Sequence, residues 1–281
     1  MNYRHSFHAG NFADVFKHAL LTRILVYLMR KDGALRYIDT HAGTGLYDLT
    51  SLDASRTQEW QGGIGRLKGP MPADVQALLQ PYLDAVGPLD EEGRPKLYPG
   101  SPVIAQNMLR AQDRLSLCEL HPEDVLALER AIGRDSRVKM WDADGYTGLK
   151  SFVPPMEKRG LVLIDPPFEE RDEFQRMARA VLAAHRKWAV GTFAIWYPVK
   201  DLNAVQAFCA ALVGAGIKKI LRIELQVRRF GVEGPLGRTG LILINPPYVL
   251  ESELGVLMPF LAQTLAQDSE ARFAVEWLAG E

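Results

Sequence analysis

The sequence of 281 residues has few of the features that mark secreted, metal-bound or membrane-spanning proteins. Its two cysteines, Cys118 and Cys209, are too few for a disulfide framework or a four-thiolate metal site. The first residues lack the apolar core of a secretory signal, and no apolar run reaches the roughly 18 to 20 residues that cross a bilayer. Basic and acidic side chains number 33 and 34, so no excess of positive charge indicates a polyanionic partner. We therefore expect a cytoplasmic protein without membrane contact, and the charge balance by itself argues weakly against nucleic acid.

The spacing of apolar residues predicts an α/β fold. Residues 12–29 have helical periodicity, and from residue 99 onward short apolar strands alternate with helices of about ten or more residues, as in a mostly parallel, doubly wound sheet. Between these parts, residues 46–98 are rich in proline and contain one periodic stretch. We predict a core of residues 1–45 and 99–281 with a small helical insertion at 46–98. The seven predicted strands lie at 35–39, 115–119, 138–141, 161–164, 192–199, 220–228 and 241–244.

The last third of the chain predicts an antiparallel pair at the end of this sheet. Residues 220–228 alternate between apolar and polar side chains, which predicts a strand with one solvated face. The glycine-rich link 229–240 predicts a mobile loop that joins two edge strands, and we expect a closing helix beyond residue 251. Basic residues around the loop predict a substrate-facing surface, although each alone is better explained as a solvated charge: Lys218, Lys219, Arg222, Arg228, Arg229 and Arg238.

Acidic residues follow the predicted parallel strands, where ligands bind in doubly wound sheets. Asp39 precedes a glycine-rich turn that includes Gly43, but the turn lacks the full dinucleotide fingerprint, so a tight turn capped by Asp39 explains it about as well. Glu119 is placed to accept hydrogen bonds from ribose hydroxyls, against the alternative of an exposed charge. Asp144, before Gly145, is placed to accept from an exocyclic adenine amine, against the same alternative of an exposed charge. Together these acids indicate a nucleotide-like ligand.

The sharpest local motif is Asp165-Pro-Pro-Phe168, directly after a predicted strand. The two prolines stiffen the turn and aim the Asp165 carboxylate and the Pro166 carbonyl at one point beside the Phe168 ring. Two acceptors and a stacking surface suit a planar amine. A second copy, Asn245-Pro-Pro-Tyr248, has residue types that suit a planar amine equally well. It ends the last predicted strand rather than following the acid-ended ones, so we assign the chemistry to Asp165.

These residues resemble class I S-adenosylmethionine-dependent methyltransferases that act on the N6 amine of adenine, whose hallmark is (Asp/Asn)-Pro-Pro-(Tyr/Phe/Trp). More closely, five segments spread over nearly the whole chain resemble the bacterial 23S rRNA adenine-2030 N6-methyltransferase family. They are Tyr3-Arg-His-Ser-Phe-His-Ala-Gly-Asn11, Ala13-Asp-Val-Phe-Lys-His18, Asp39-Thr-His-Ala-Gly43, Tyr98-Pro-Gly-Ser-Pro102 and Ile164-Asp-Pro-Pro-Phe168.

The resemblance implies a Rossmann-like core, S-adenosylmethionine as methyl donor with S-adenosylhomocysteine as product, no metal, and 23S rRNA as partner of a monomeric enzyme. The implied contacts to the homocysteine end are Lys17, His18, His41 and Ser101, with Gly100 beside them. Glu119 would hold the ribose, Asp144 and Gly145 the adenine end, and Asp165 would be catalytic. Tyr3 would touch substrate, and Arg4 belongs to the same basic, aromatic arm, for which an ordinary frayed terminus is the alternative. From the residues alone, a solvated His18 paired with Asp14 and a helix-capping Ser101 remain equally good interpretations.

Other functions share part of this pattern. A DNA adenine-N6 methyltransferase would carry the same motifs together with a target-recognition region, and the 46–98 insertion is small and not notably basic. The family has also carried an older label concerned with the use of external DNA. An RNA-binding scaffold with a vestigial cofactor fold would have lost the strand-end acids, and a protein-glutamine methyltransferase would prefer Asn-Pro-Pro-Tyr at the catalytic strand.

Overall fold

The computed structural model describes residues 4–232 and 234–280 and contains one eight-stranded sheet with helices on both faces. The strands are β1 (Arg36–Asp39), β2 (Leu46–Tyr47), β3 (Tyr98–Pro99), β4 (Arg114–Glu119), β5 (Val138–Asp142), β6 (Gly160–Ile164), β7 (Thr192–Pro198), β8 (Ile220–Gln226), β9 (Arg238–Ile244) and β10 (Arg272–Ala279). The helices are α1 (Phe12–Met29), α2 (Leu52–Thr57), α3 (Ala73–Val86), α4 (Ser101–Met108), α5 (Pro122–Ile132), α6 (Gly145–Phe152), α7 (Glu173–Lys187), α8 (Leu202–Gly214) and α9 (Leu250–Thr264). Among these helices, none is both long enough and apolar enough to cross a membrane.

The sheet has the strand order β10-β8-β9-β7-β6-β1-β4-β5, and β5, β4, β1, β6 and β7 run parallel. Strand β9 is antiparallel to both β7 and β8. One apolar cluster joins the sheet to α1, α3, α4, α5 and α9, and a second joins its other face to α6, α7 and α8. This arrangement confirms the predicted Rossmann-like α/β class with its antiparallel end.

An eighth strand, β10, was not predicted. The closing helix ends at Thr264, and β10 then pairs antiparallel with β8 along the outer edge of the sheet. Strand β8 is therefore an interior strand. The predicted solvated face of 220–228 is wrong, because Glu224 and Gln226 are only 3% and 2% exposed. The prediction that β8 and β9 are edge strands is also wrong, since both have neighbours on each side, while the mobility of the loop that joins them stays a prediction.

Helix α1 carries several polar residues into the interior. Asn11 caps its start by accepting hydrogen bonds from the backbone N–H groups of Ala13 and Asp14. Every residue from Phe12 to Leu25 is buried, because the helix lies between the sheet and α3, α4 and α9. Buried ionisable groups must be paired or neutral, so the polar residues of α1 need partners inside the protein.

The segment 46–98 begins and ends at a short antiparallel bridge, in which β2 pairs with β3. Its main helix, α3, packs on α1, and Leu79 and Tyr82 of α3 are completely buried in the apolar cluster that contains α1. The segment thus shares its core with the helices that cover the sheet. Its boundaries as a separate unit stay a prediction.

Candidate active site

Two neighbouring clefts lie at the carboxyl ends of the parallel strands. The first has a volume of about 340 Å³ and the second about 260 Å³. Both are lined by His5, Lys17, Asp165 and Pro167. The first cleft is also lined by the other predicted cofactor-binding residues except Asp39, namely His18, His41, Gly43, Gly100, Ser101, Glu119, Asp144 and Gly145. The topology therefore gathers residues from widely separated parts of the chain into one site.

Asp39 lies behind the wall of the first cleft. It is fully buried, and its carboxylate accepts hydrogen bonds from the hydroxyls of Tyr37 and Ser101, both at 2.7 Å. Burial raises the pKa of Asp39 to about 6, although these two hydrogen bonds oppose that rise. Asp39 thus contributes to the cleft indirectly, by holding the Ser101 hydroxyl in place. Gly100 occupies the N-cap position of α4, so the alternative of Ser101 as the cap is wrong.

Glu119 is held rigidly at the end of β4. One carboxylate oxygen accepts from the backbone N–H of Gly43 at 2.8 Å, and the other accepts from Leu120 and His121 at 2.8 and 2.9 Å. The side chain is 8% exposed, so the alternative of an exposed charge is wrong. Burial raises the pKa of Glu119, while the three backbone N–H groups limit that rise. A carboxylate fixed in this way presents its remaining lone pairs to the cleft.

Two of the histidines that line the first cleft, His18 and His41, have lowered pKa values. Burial lowers the pKa of His18 to about 3 and that of His41 to about 4. His18 Nδ1 lies 2.9 Å from the Tyr98 hydroxyl, whereas its buried Nε2 has no hydrogen-bond partner among residues 4–232 and 234–280. His18 is 1% exposed, so the solvated alternative is wrong. His41 Nδ1 lies 2.8 Å from the Thr40 hydroxyl.

The far end of the first cleft is formed at the start of α6. Asp144 caps this helix by accepting from the backbone N–H and the hydroxyl of Thr147, both at 2.9 Å, and it lies 3.5 Å from Arg176. A Cβ atom on Gly145 would lie 2.0 Å from the carbonyl oxygen of Thr40. Only glycine therefore fits at position 145 without moving the loop after β1.

A chain of alternating charges connects α1 to the Asp-Pro-Pro motif. Lys17 Nζ lies 3.0 Å from Asp14 Oδ1 and also bonds to Asp165 Oδ2, while Asp14 Oδ2 lies 2.9 Å from His5 Nε2. Burial alone would lower the pKa of Lys17, but the two carboxylates raise it above its ordinary value. Burial alone would likewise raise the pKa of Asp14, but His5 and Lys17 hold it well below its usual range. Asp165 is thereby held beside a buried cation at the junction of the two clefts.

The second cleft contains Pro166 and Phe168 beside Asp165. Phe168 adopts a left-handed backbone conformation with φ of 52°, and its ring contacts Phe174 and Trp196 edge-on, with centroids 5.0 and 5.9 Å apart. These neighbours fix a flat aromatic wall next to the Asp165 carboxylate.

Of the two predicted substrate residues of the N-terminal arm, only Arg4 lies among the residues that the structure describes. Arg4 is exposed and pairs with Glu123 at 2.9 Å, on the surface near the start of α5. The guanidinium therefore lies outside both clefts, and its contact with substrate stays a prediction. Tyr3 lies outside the described residues.

The second Pro-Pro motif lies at the opposite edge of the sheet. Because β9 runs antiparallel to β7, Asn245 follows the end of β9 beside the start of β7. Its side-chain amide donates to the carbonyl oxygens of Ala189 and Gly191, both at 2.8 Å, and Tyr248 is 80% exposed. Lys218 and Lys219 share this edge, since the backbone N–H of Asn245 donates to the carbonyl of Lys219. The prediction that these two lysines belong to the substrate-facing surface is therefore wrong.

Comparison with known proteins identifies the family. A family model described as "Ribosomal RNA large subunit methyltransferase D, RlmJ" matches residues 32–279. Proteins named "Ribosomal RNA large subunit methyltransferase J" from Escherichia coli and Haemophilus influenzae are each 39% identical to the chain, and each alignment covers 100% of this chain and 100% of the relative. The chain belongs to the RlmJ family. The crystal structure of protein LPL1258 from Legionella pneumophila, 35% identical, superposes with a TM-score of 0.87 and covers 96% of this chain and 98% of that one.

Membership of the RlmJ family confirms the family and the enzyme class that the sequence resemblance implied, a methyltransferase. The family and the fold imply S-adenosylmethionine as methyl donor, and the first cleft fits that group. His18 offers an unpartnered ring nitrogen, Glu119 a buried and anchored carboxylate, and Gly145 a position where a side chain would close the space. These are the polar end groups and the close backbone approach that a nucleoside with an amino-acid tail requires.

Four residues that belong to this RlmJ-family site were not predicted to lie at the clefts. His5 and Asp14 complete the charged chain to Asp165, and Tyr146 and Arg176 line the first cleft, where the guanidinium lies 5.4 Å from the Tyr146 ring centroid. One signal was available. Asp14 and Lys17 are three residues apart on a mostly apolar helix, a spacing that pairs charges on one face.

Proposed function

We propose that this RlmJ-family enzyme transfers a methyl group from S-adenosylmethionine to the N6 amine of an adenine in 23S rRNA, with adenine 2030 as the nucleotide that the sequence resemblance implies. The observation that carries the proposal is the position of Asp165, which lines the cofactor-sized cleft and the neighbouring cleft at once. A group at this junction can contact a methyl acceptor while a donor occupies the other side.

The first cleft would bind the donor through residues at its two ends. His18, His41, Ser101 and Lys17 surround the end at α1 and the loop after β1, and they would bind the homocysteine portion. Glu119 would accept from the ribose hydroxyls, and Asp144 with Gly145 would contact the adenine. The orientation of these groups supports the assignment, because Ser101 and Glu119 are each fixed by hydrogen bonds to buried groups or backbone.

The second cleft would bind the target adenine. Phe168 would stack on the base, and the Asp165 carboxylate and the Pro166 carbonyl would accept the two N6–H groups. These hydrogen bonds favour a pyramidal amine, whose lone pair is otherwise delocalised into the purine ring, and they aim it at the first cleft. Bound S-adenosylmethionine supplies the electrophilic methyl group. Asp165 would then take the proton that N6 releases, directly or through water, while Lys17 stabilises the carboxylate.

The acceptor proposed is RNA because both relatives that match over their whole length are named as ribosomal RNA methyltransferases. An adenine in a loop or bulge costs less to extrude than a paired one, and this favours a single-stranded or irregular site. One chain supplies both clefts, so we propose a monomer that acts on rRNA in the cytoplasm.

The test is transfer of labelled methyl groups from S-adenosylmethionine to total RNA and DNA from cells that lack the enzyme. We expect label in 23S rRNA, as N6-methyladenosine, with wild type and with Asn245→Ala, because Asn245 lies at the opposite sheet edge. Asp165→Ala should lose at least about 100-fold in rate, since a general base and a positioning group are removed together. Label confined to DNA or protein, or an active Asp165→Ala beside an inactive Asn245→Ala, would overturn the proposal.

A further inference from the structure

A third cleft adjoins the second one on the side away from the donor site. Its volume is about 320 Å³, and it shares Lys200 and the loop residues 234–236 with the second cleft. Its walls are the segment after β7 and the loop between β8 and β9. Its described lining contains four cationic side chains and no acidic one, and these cations are Lys200, Arg228, Arg229 and Arg238.

The loop is shaped around one of these cations. A Cβ atom on Gly237 would lie 2.6 Å from Arg228 Cγ, and a Cβ atom on Gly234 would lie 3.2 Å from the Arg228 guanidinium nitrogens. The two glycines therefore leave the space that the Arg228 side chain occupies along the cleft. Arg238 forms an ion pair with Glu224, and the Arg238 guanidinium lies 5.9 Å from the Phe230 ring centroid.

The opposite rim of the site has the reverse charge. Asp124, Glu169 and Glu170 line the first cleft, which shares no lining residue with the basic cleft among the residues that the structure describes. A polyanion would be repelled there and attracted over the loop between β8 and β9. The chain has a net charge of −1, so this separation is a local property that the total conceals.

We propose that the third cleft binds the phosphodiester backbone of the RNA strand that flanks the extruded adenine, chiefly through Lys200, Arg228 and Arg229. This inference rests on the proposed function and adds the surface that holds the substrate. Cationic side chains that contact phosphates provide affinity and position the strand without reading its sequence. Continuity with the second cleft lets a base enter beside Asp165 while its neighbouring phosphates lie along the loop.

The test compares charge-neutral variants of the cleft with a matched cation elsewhere. Binding of unmodified 23S rRNA transcript would be measured over a series of salt concentrations for wild type, Arg229→Gln, the double variant Lys200→Gln with Arg229→Gln, and Arg228→Gln. Lys218→Gln is the control, because Lys218 is exposed at the opposite edge of the sheet. Thermal unfolding and S-adenosylhomocysteine affinity would be measured for each variant, so that misfolding is recognised.

For each cleft variant we expect the slope of log affinity against log salt to fall by about 0.7 to 0.9 per removed charge. The dissociation constant and KM should rise by about tenfold per charge with kcat nearly unchanged, because the lost contact is equal in ground and transition states. Lys218→Gln should match wild type. Unchanged slopes in the cleft variants, or an equal change in Lys218→Gln, would overturn the inference. Wild-type protein that methylates no RNA would instead overturn the proposed function.

Discussion

Replacement of Lys17 by methionine tests the charged chain that holds Asp165. The Lys17 side chain is 5% exposed and bonds to two carboxylates, of which Asp14 is 2% and Asp165 16% exposed. Methionine fills a similar volume but removes the cation between them. Two acidic groups would then lie in a site from which water is largely excluded, while His5 and the backbone N–H of Gly10 remain beside Asp14.

The expected cost follows from this burial. Removal of one partner from a buried ion pair leaves an uncompensated charge and destabilises by about 3 to 5 kcal/mol. For a chain of this length, that corresponds to a fall in Tm of roughly 10 °C. The measurement is urea unfolding of wild type, Lys17→Met and the exposed-lysine control Lys218→Met at pH 7. The control should unfold like wild type.

A second substitution separates the electrostatic cause from poor packing. Adding Asp14→Asn to Lys17→Met removes one of the two carboxylates, so we expect it to restore at least half of the lost stability. Methyl transfer should stay low in both variants, because Asp165 still lacks its cation. An unchanged stability of Lys17→Met, or a further loss on adding Asp14→Asn, would refute the reasoning.

The pH dependence has a definite sign. The pKa of Lys17 is raised in the folded protein, so its contribution to stability is complete below the unfolded value of 10.5 and is lost as pH rises above it. The pKa of Asp14 is lowered, so its contribution is present above the unfolded value of 3.8 and is lost as pH falls below it. The stability difference between wild type and Lys17→Met should therefore be constant near neutrality and shrink at strongly alkaline pH.

Two further substitutions test the walls of the first cleft. For Asp39→Asn, we expect the unfolding free energy relative to wild type to improve by about 2 kcal/mol between pH 4 and pH 6, since a pKa raised from 3.8 to about 6 means that wild type loses this contribution as pH rises. Urea unfolding at several pH values measures the difference, and a parallel pair of curves would contradict it. Gly145→Ala should weaken S-adenosylhomocysteine binding by at least about tenfold in calorimetry, because its Cβ would lie 2.0 Å from the Thr40 carbonyl oxygen. The control is Gly255→Ala in α9, where the added Cβ would meet no other part of the protein within 4 Å. This variant should stabilise the fold by up to about 1 kcal/mol without affecting S-adenosylhomocysteine binding. Equal S-adenosylhomocysteine affinities in the two variants would count against the predicted wall.

Local periodicity was sufficient for most of the fold. The apolar pattern placed α1 and the parallel strands, because a buried strand is a short apolar run and a buried helix is a longer one. It failed at β10, a strand of eight residues that follows a helix and is mostly exposed on its outer side. Without that neighbour, the polar residues of β8 were interpreted as solvated, whereas Glu224, for example, is buried against Tyr197 and Arg238.

The sequence by itself determined the family, the acid-ended strands and the Asp165 motif, because these depend on residue types at short spacing that any fold of this class brings to one sheet edge. Only the tertiary structure decided which of the two Pro-Pro motifs shares that edge with Glu119. The direction of a strand in the sheet is set by the topology and not by the residues of the motif itself. Long-range packing likewise joined Asp14 and Lys17 to Asp165, which is 148 residues beyond Lys17, since a buried charge takes its partner from wherever the fold supplies one.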